Sequence, residues 1–117
     1  VIKEIAFLAY SVSDVPRALA FYRDTLGLQP DGLASDGWVE FGVGGVTVGI
    51  GNGTPLGFIP GNSSGLMLEV DDVAAERARL LEAGVTVGDF IETPVCFMTF
   101  VTDPDGNVLG MHQRKPR

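Results

Sequence analysis

LAYSVSDVPRALAFYRDTLGL, residues 8–28, returns in altered form as LMLEVDDVAAERARLLEAGV, residues 66–85. Val12-Ser13-Asp14-Val15 falls on Val70-Asp71-Asp72-Val73, an offset of 58 residues and about half of the 117-residue chain. In each copy a short alternating segment runs into an Asp that can cap a helix by accepting backbone N–H bonds. Pro16 then sits in the first helical turn, where its missing N–H costs little. Val15, Ala18, Leu19, Tyr22 and Leu26 form one apolar helical face, and Gly27 is a natural C-terminal stop. The second helix places Val73, Leu80 and Leu81 on its inner face and ends at Gly84.

Three strand-like runs follow each helix. In the first half they are 28–33, 36–43 and 46–51, and in the second half 85–92, 95–102 and 107–113. Gly44-Gly45 and the DPDG of residues 103–106 are hairpin turns. The expected fold class is α+β: tandem βαβββ modules forming a cup-shaped mixed sheet. One domain spans 1–117, with modules at about 1–52 and 65–114 joined by a linker, 53–64. Neither half alone can bury its sheet face, whereas two together can. The run GVGGVTVGIGNG lacks the following helix that a phosphate loop needs, so its glycines read as hairpin glycines.

Composition narrows the partners. A hydrophobic content of 45% with 20% charged residues argues for a packed domain. The apolar stretches fall short of a membrane span, and the start, VIKEIAFLAYSVSD, turns polar too soon for a signal peptide. With Cys96 as its single cysteine the chain can form no internal disulfide, which fits a cytoplasmic setting. The net charge is −7, and thirteen of the fifteen acidic residues lie in 24–76 and 80–113. Those stretches hold no Lys or Arg; apart from Lys3, the basic side chains lie on the two helices and the terminal tail. Such a field opposes nucleic acid and phosphorylated ligands and favours cations.

A tandem βαβββ with FY…LGL closing the first helix and DPDGN before the last strand resembles the vicinal oxygen chelate superfamily. Glyoxalase I, extradiol dioxygenases, fosfomycin-modifying enzymes and bleomycin-resistance proteins belong to it. The resemblance runs from Ile5 to Gln113. It implies a cup that, in metal-dependent members, holds a divalent ion. A ligand on the first strand would fall at Phe7, its counterpart on the fifth strand at Gly65, and the Glu of the last strand at Gly110. A further ligand from the fourth strand has only Thr47 and glycines to draw on. These side chains supply no converging donor set, so neither metal nor other cofactor is expected. His112 faces the same way as position 110 but lies about 7 Å further along.

Alternation sorts each strand, given the family's orientation. Phe7, Ala9 and Ser11 face the cup from the first strand, and Trp38 and Glu40 from the third. The second half contributes Gly65, Met67 and Glu69, then Met98, Phe100 and Thr102, and finally Val108, Gly110 and His112. The ligand-binding set is therefore Phe7, Trp38, Glu40, Met67, Glu69, Phe100 and His112, with no catalytic residue assigned. Aromatic faces suit planar rings, and Trp beside a carboxylate suits a cation. The resemblance and this surface together imply a metal-independent protein sequestering a cationic or aromatic small molecule such as an antibiotic. The alternatives are a glyoxalase-like lyase or isomerase, or a dioxygenase-type enzyme, with displaced ligands, and a module whose sheets serve dimerisation. Family members are commonly homodimers, and PLGFIPG, with Phe58 and Ile59, is the expected interface element.

Overall fold

Both capping aspartates close their helices. Asp14 Oδ1 accepts the Arg17 N–H at 3.1 Å and Asp72 Oδ1 accepts the Ala75 N–H at 3.0 Å. The computed structural model describes residues 1–116, so Arg117 of the basic tail lies outside the described residues. Helix α1, Val15–Leu19, continues through a wider turn over Ala20–Thr25, where the Leu26 N–H bonds the Phe21 carbonyl five residues back. Gly27, at φ +86°, reverses the chain, and the Leu28 N–H returns to the Tyr22 carbonyl. That bond uses the backbone at 28, so the strand expected over 28–33 is displaced to β2, Pro30–Ser35. Helix α2 runs Val73–Glu82. Among the described residues no helix is long and apolar enough to cross a membrane.

The remaining strands are β1 (Leu8–Ser11), β3 (Trp38–Val43), β4 (Val46–Gly51), β5 (Leu66–Glu69), β6 (Thr86–Val87), β7 (Ile91–Glu92), β8 (Cys96–Thr102) and β9 (Val108–Arg114). They form two sheets, ordered β1-β4-β3-β2 and β5-β9-β8-β6, with β7 also paired to β8. In each sheet the strand before the helix lies parallel to the last strand of its half, and the other pairings are antiparallel. The repeat read in the sequence is thus a repeat of topology, and the fold class is the mixed α+β one expected. The single run expected over 85–92 is two short strands instead. Between them the Gly88 carbonyl turns to accept Arg77 Nε at 2.8 Å and Thr99 Oγ1 at 3.1 Å.

One face of each sheet is buried against its helix. Tyr10, Val12, Val39, Phe41, Val48 and Ile50 from the first sheet join Leu66, Leu68, Val101, Leu109 and Met111 from the second in one cluster. Val15, Ala18 and Tyr22 of the first helical segment and Val73 and Leu80 of α2 complete it. Leu81, expected on the inner face, is 45% exposed, because it is rotated one residue past the Val73–Leu80 stripe.

The DPDGN turn ties the two halves together. Asp103 is buried, and its Oδ1 accepts the N–H groups of Asp105 (2.9 Å) and Asn107 (2.8 Å). Its Oδ2 accepts Tyr22 Oη and Asn107 Nδ2, each at 2.8 Å. Asn107 Nδ2 also donates to the Ser11 carbonyl at 2.8 Å, and its Oδ1 accepts the Ser63 N–H at 3.0 Å. Beside it, Tyr10 Oη donates to the Val108 carbonyl and accepts the Leu66 N–H, both at 2.8 Å. Burial and the neighbouring Asp103 carboxylate push the Tyr22 phenol far above its ordinary range, and burial first, then Asp103, raises Tyr10. Both therefore act as fixed donors. Removing one donor from a buried carboxylate costs about 1.5–3 kcal/mol. Tyr22→Phe should lower the urea midpoint accordingly with an unchanged m-value. A midpoint equal to the parent's would show that the turn does not tie the halves.

Candidate functional site

Trp38 opens β3, with Glu40 on the same outer face. Opposite them across the ladder stand Gly51 and Gly49. The indole lies along those two glycines: a Cβ at Gly49 would collide with its Cζ2 and Cη2, and one at Gly51 with its Cε3. Only a strand stripped of side chains at these two places lets a ring rest flat on the backbone. Trp38 Nε1 donates to Glu40 Oε2 at 3.0 Å, which fixes the ring's direction. Phe7 packs edge-to-face on it, with centroids 5.3 Å apart and planes at 69°.

These rings form one wall of a cleft of about 350 Å3. Ala9 and Ser11 continue that wall, and Leu56 and Phe58 of the linker face it. Ser11 holds the linker in place, its Oγ donating to the Phe58 carbonyl at 3.0 Å and accepting the Gly53 N–H at 3.2 Å. Leu56 is 80% and Phe58 63% exposed. Asn52 and Ser63 add polar groups, and among the described residues no Asp, Glu, Lys or Arg lines the space. Both residues of the linker wall, Leu56 and Phe58, belong to PLGFIPG, the segment expected at a dimer interface and not in the cup. The signal for their return was the close spacing of Gly53, Gly57 and Gly61, the last two at φ +90° and +85°. Gly49→Ala should drive the indole off its seat, at about 1–3 kcal/mol of overpacking. Because Trp38 is the chain's one tryptophan, its emission should shift to longer wavelength. Unchanged emission would mean that the ring does not rest there.

The other expected ligand-binding residues lie elsewhere. Met67, Gly110 and Phe100 stand in register across β5, β9 and β8. The Met67 thioether occupies the space over Gly110 that a side chain there would take, with Phe100 beside it. Glu69, His112 and Met98 form the next row. His112 Nδ1 lies 2.6 Å from Glu69 Oε1, and the Arg114 N–H reaches Glu69 Oε2 at 2.8 Å. A carboxylate only accepts, so the Nδ1 carries the proton. None of Met67, Glu69, Phe100 and His112 lines the Phe7–Trp38 cleft. His112 instead lines a second cleft, of about 390 Å3, with Cys96, Arg114 and Lys115. Phe7, Trp38 and Glu40 thus come together, while the other four residues gather on the second sheet.

The hydrogen bond from His112, then that from the Arg114 amide, holds the Glu69 carboxyl below the ordinary carboxylate range. A depressed folded value means that the contact is fully present above the ordinary Glu pKa and is lost as pH falls through the depressed one. An NMR titration should find Glu69 low in the parent and returned toward the ordinary value in His112→Ala. A normal value in the parent would rule out the pairing.

The positions that resemblance associates with metal ligands do not fit a divalent ion. Phe7 is packed on an indole, Gly65 has φ +97°, and Met67 covers Gly110. Among the described residues no three His, Cys, Asp or Glu side chains are grouped to hold a metal.

Comparison with known families places this geometry. The model of the glyoxalase family, described as the glyoxalase/bleomycin resistance protein/dioxygenase superfamily, matches residues 4–111. The chain belongs to that superfamily. Among solved structures it is similar to TnmS3, an antibiotic binding protein from Streptomyces sp. CB03234, at 32% identity and a TM-score of 0.82, covering 97% of this chain and 98% of that one. A glyoxalase/bleomycin resistance protein from the same Streptomyces is 33% identical, with a TM-score of 0.77 and coverage of 94% and 100%. The lactoylglutathione lyase of Agrobacterium tumefaciens, at 20% identity, TM-score 0.79 and coverage of 96% and 94%, shares the fold. No curated protein matches the chain. The superfamily's description spans resistance proteins and enzymes, and the site has to separate them.

Proposed function

We propose that this superfamily member is a metal-independent binding protein that holds a planar aromatic small molecule, neutral or cationic, in the Phe7–Trp38 cleft. The observation that carries the reading is the indole laid on Gly49 and Gly51, facing an apolar linker wall across about 350 Å3. That volume lies within the range of small-molecule sites, and an apolar lining with a few polar groups is their usual make-up. The similarity to an antibiotic binding protein points the same way. So does the donor set at Phe7, Gly65 and Gly110, which suits packing better than metal chemistry. The strongly acidic charge, −7 overall, disfavours anionic ligands at any site on the molecule. Sequestration in a cytoplasmic setting, by a homodimer, is the corresponding biological role.

Trp38 reports on its own cleft. Titration with planar aromatic compounds should quench its emission saturably, and dialysis against a chelator should leave the affinity unchanged. Leu56→Ser and Phe58→Ser should weaken binding by removing apolar contact, whereas Glu82→Gln should not. Planar aromatics that leave the emission unaltered, or binding that disappears with chelation and returns with a divalent ion, would refute the proposal. The dimer is tested separately by sedimentation: at micromolar concentration the mass should be about twice the 12.4 kDa of one chain.

A further inference from the structure

The sequence places two carboxylates, Glu40 and Glu69, where they could meet a cationic ligand, but neither lines the aromatic cleft. Glu69 is engaged by His112 and by the Arg114 amide on the other sheet. Glu40 is engaged by the indole itself, through Trp38 Nε1 at 3.0 Å. Among the described residues Glu40 enters no ion pair, so no cation diverts its charge from the indole. The sequence between Asp24 and Glu76 holds no Lys or Arg at all.

A hydrogen bond to an anionic acceptor polarises its donor, and neighbouring groups in a weakly solvated site strengthen that polarisation. An indole donating its N–H to a carboxylate carries more electron density in its ring, and its face becomes more negative. The ring's position keeps that face available. One side rests on the backbone of Gly49 and Gly51, and Trp38 lines the cleft. Among the described residues the cleft's own lining is uncharged, with polar groups from Ser11, Asn52, Ser63 and Tyr10. The carboxylate therefore acts on a ligand through the tryptophan.

We infer that the cleft selects electron-deficient planar rings, such as quinone-like, imide-bearing or cationic heteroaromatic systems, with Glu40 as the positioning and polarising residue for Trp38. This rests on the aromatic-binding function proposed above and narrows its ligand class. Ring electron deficiency, rather than formal positive charge, is the property recognised. Neutral electron-poor rings belong to the class, and cations without a ring do not.

The test compares two uncharged probes with the same fused-ring core and opposite electronics, a naphthalene diimide and a dialkoxynaphthalene, by titration of Trp38 emission and by calorimetry. The diimide should bind the parent roughly fivefold more tightly, the scale of one favourable aromatic pair. It should also raise a long-wavelength charge-transfer absorption that the dialkoxynaphthalene does not. In Glu40→Gln the amide oxygen still accepts the indole N–H, so the ring stays seated while the charge is gone. There the ratio should fall to within about twofold and the charge-transfer band should move to higher energy. Trp38→Phe keeps a ring but loses the donor, and should abolish both the preference and the band. Methyl viologen should bind and choline should not, which separates a ring-directed site from a cation-directed one. Equal affinities for the two neutral probes in the parent, an unchanged ratio in Glu40→Gln with unaltered circular dichroism, or choline binding on a par with methyl viologen would each overturn the inference while leaving aromatic binding intact. Failure of every aromatic probe would remove the binding function and the inference together.

Discussion

The buried carboxylate of Asp103 is the constraint on which the rest depends. Its two oxygens take four hydrogen bonds, from Tyr22, Asp105 and both nitrogens of Asn107. A buried carboxylate without partners is costly, and one with both oxygens filled is held in a single geometry. Through that node the last hairpin fixes α1, and through Asn107 it fixes the end of β1 and the linker at Ser63. Phe7 leads directly into β1, and Phe58 stands on the linker that Ser11 pins. The two walls of the aromatic cleft are thus set by one turn, 96 residues from Ser11 and 44 from Ser63 in sequence.

Much of the fold was legible because each signal was local. Asp14 and Asp72 are followed by helical stripes, and caps of that kind need only their own first turn. Alternation separated Val39 and Phe41 from Trp38 and Glu40, since the period of two is a property of any strand. What was not legible required knowledge beyond the neighbouring residues. The wide turn at the end of α1 lies where Phe21 and Tyr22 enter the core, and their partners there come from distant parts of the chain. The break at Gly88 depends on Arg77 and Thr99, which reach its carbonyl from two other elements. Which face a side chain takes is written in its strand, but which sheet stands opposite that face is not. Met67, Glu69, Phe100 and His112 were accordingly grouped with Trp38, although they line a different part of the molecule.

Gly110 shows how a correct observation can carry two meanings. Family resemblance marks it as a place where a ligating carboxylate is missing. In the fold it is also a place that Met67 fills from the adjacent strand, so a side chain at 110 would meet a thioether. Gly49 and Gly51 do the same for Trp38. In both sheets a bulky side chain lies over glycine on a neighbouring strand, and the absence of one side chain becomes the seat of another.

The unequal walls of the cleft bear on how tolerant it is. Trp38 is held by the backbone beneath it, by Phe7 at its side and by Glu40 at its nitrogen, so its rotamer freedom was given up during folding. A side chain ordered only on binding would cost about 0.5–1.5 kcal/mol, and on the sheet side that entropy no longer opposes association. The opposite wall is different, because the side chains of Leu56 and Phe58 stand largely in solvent and must settle around whatever arrives. Preorganisation on one side and adaptability on the other make the cleft strict about the face of a ring and permissive about what the ring carries at its rim. A family of decorated molecules sharing one flat nucleus would be met by the same rigid platform and a different arrangement of the linker.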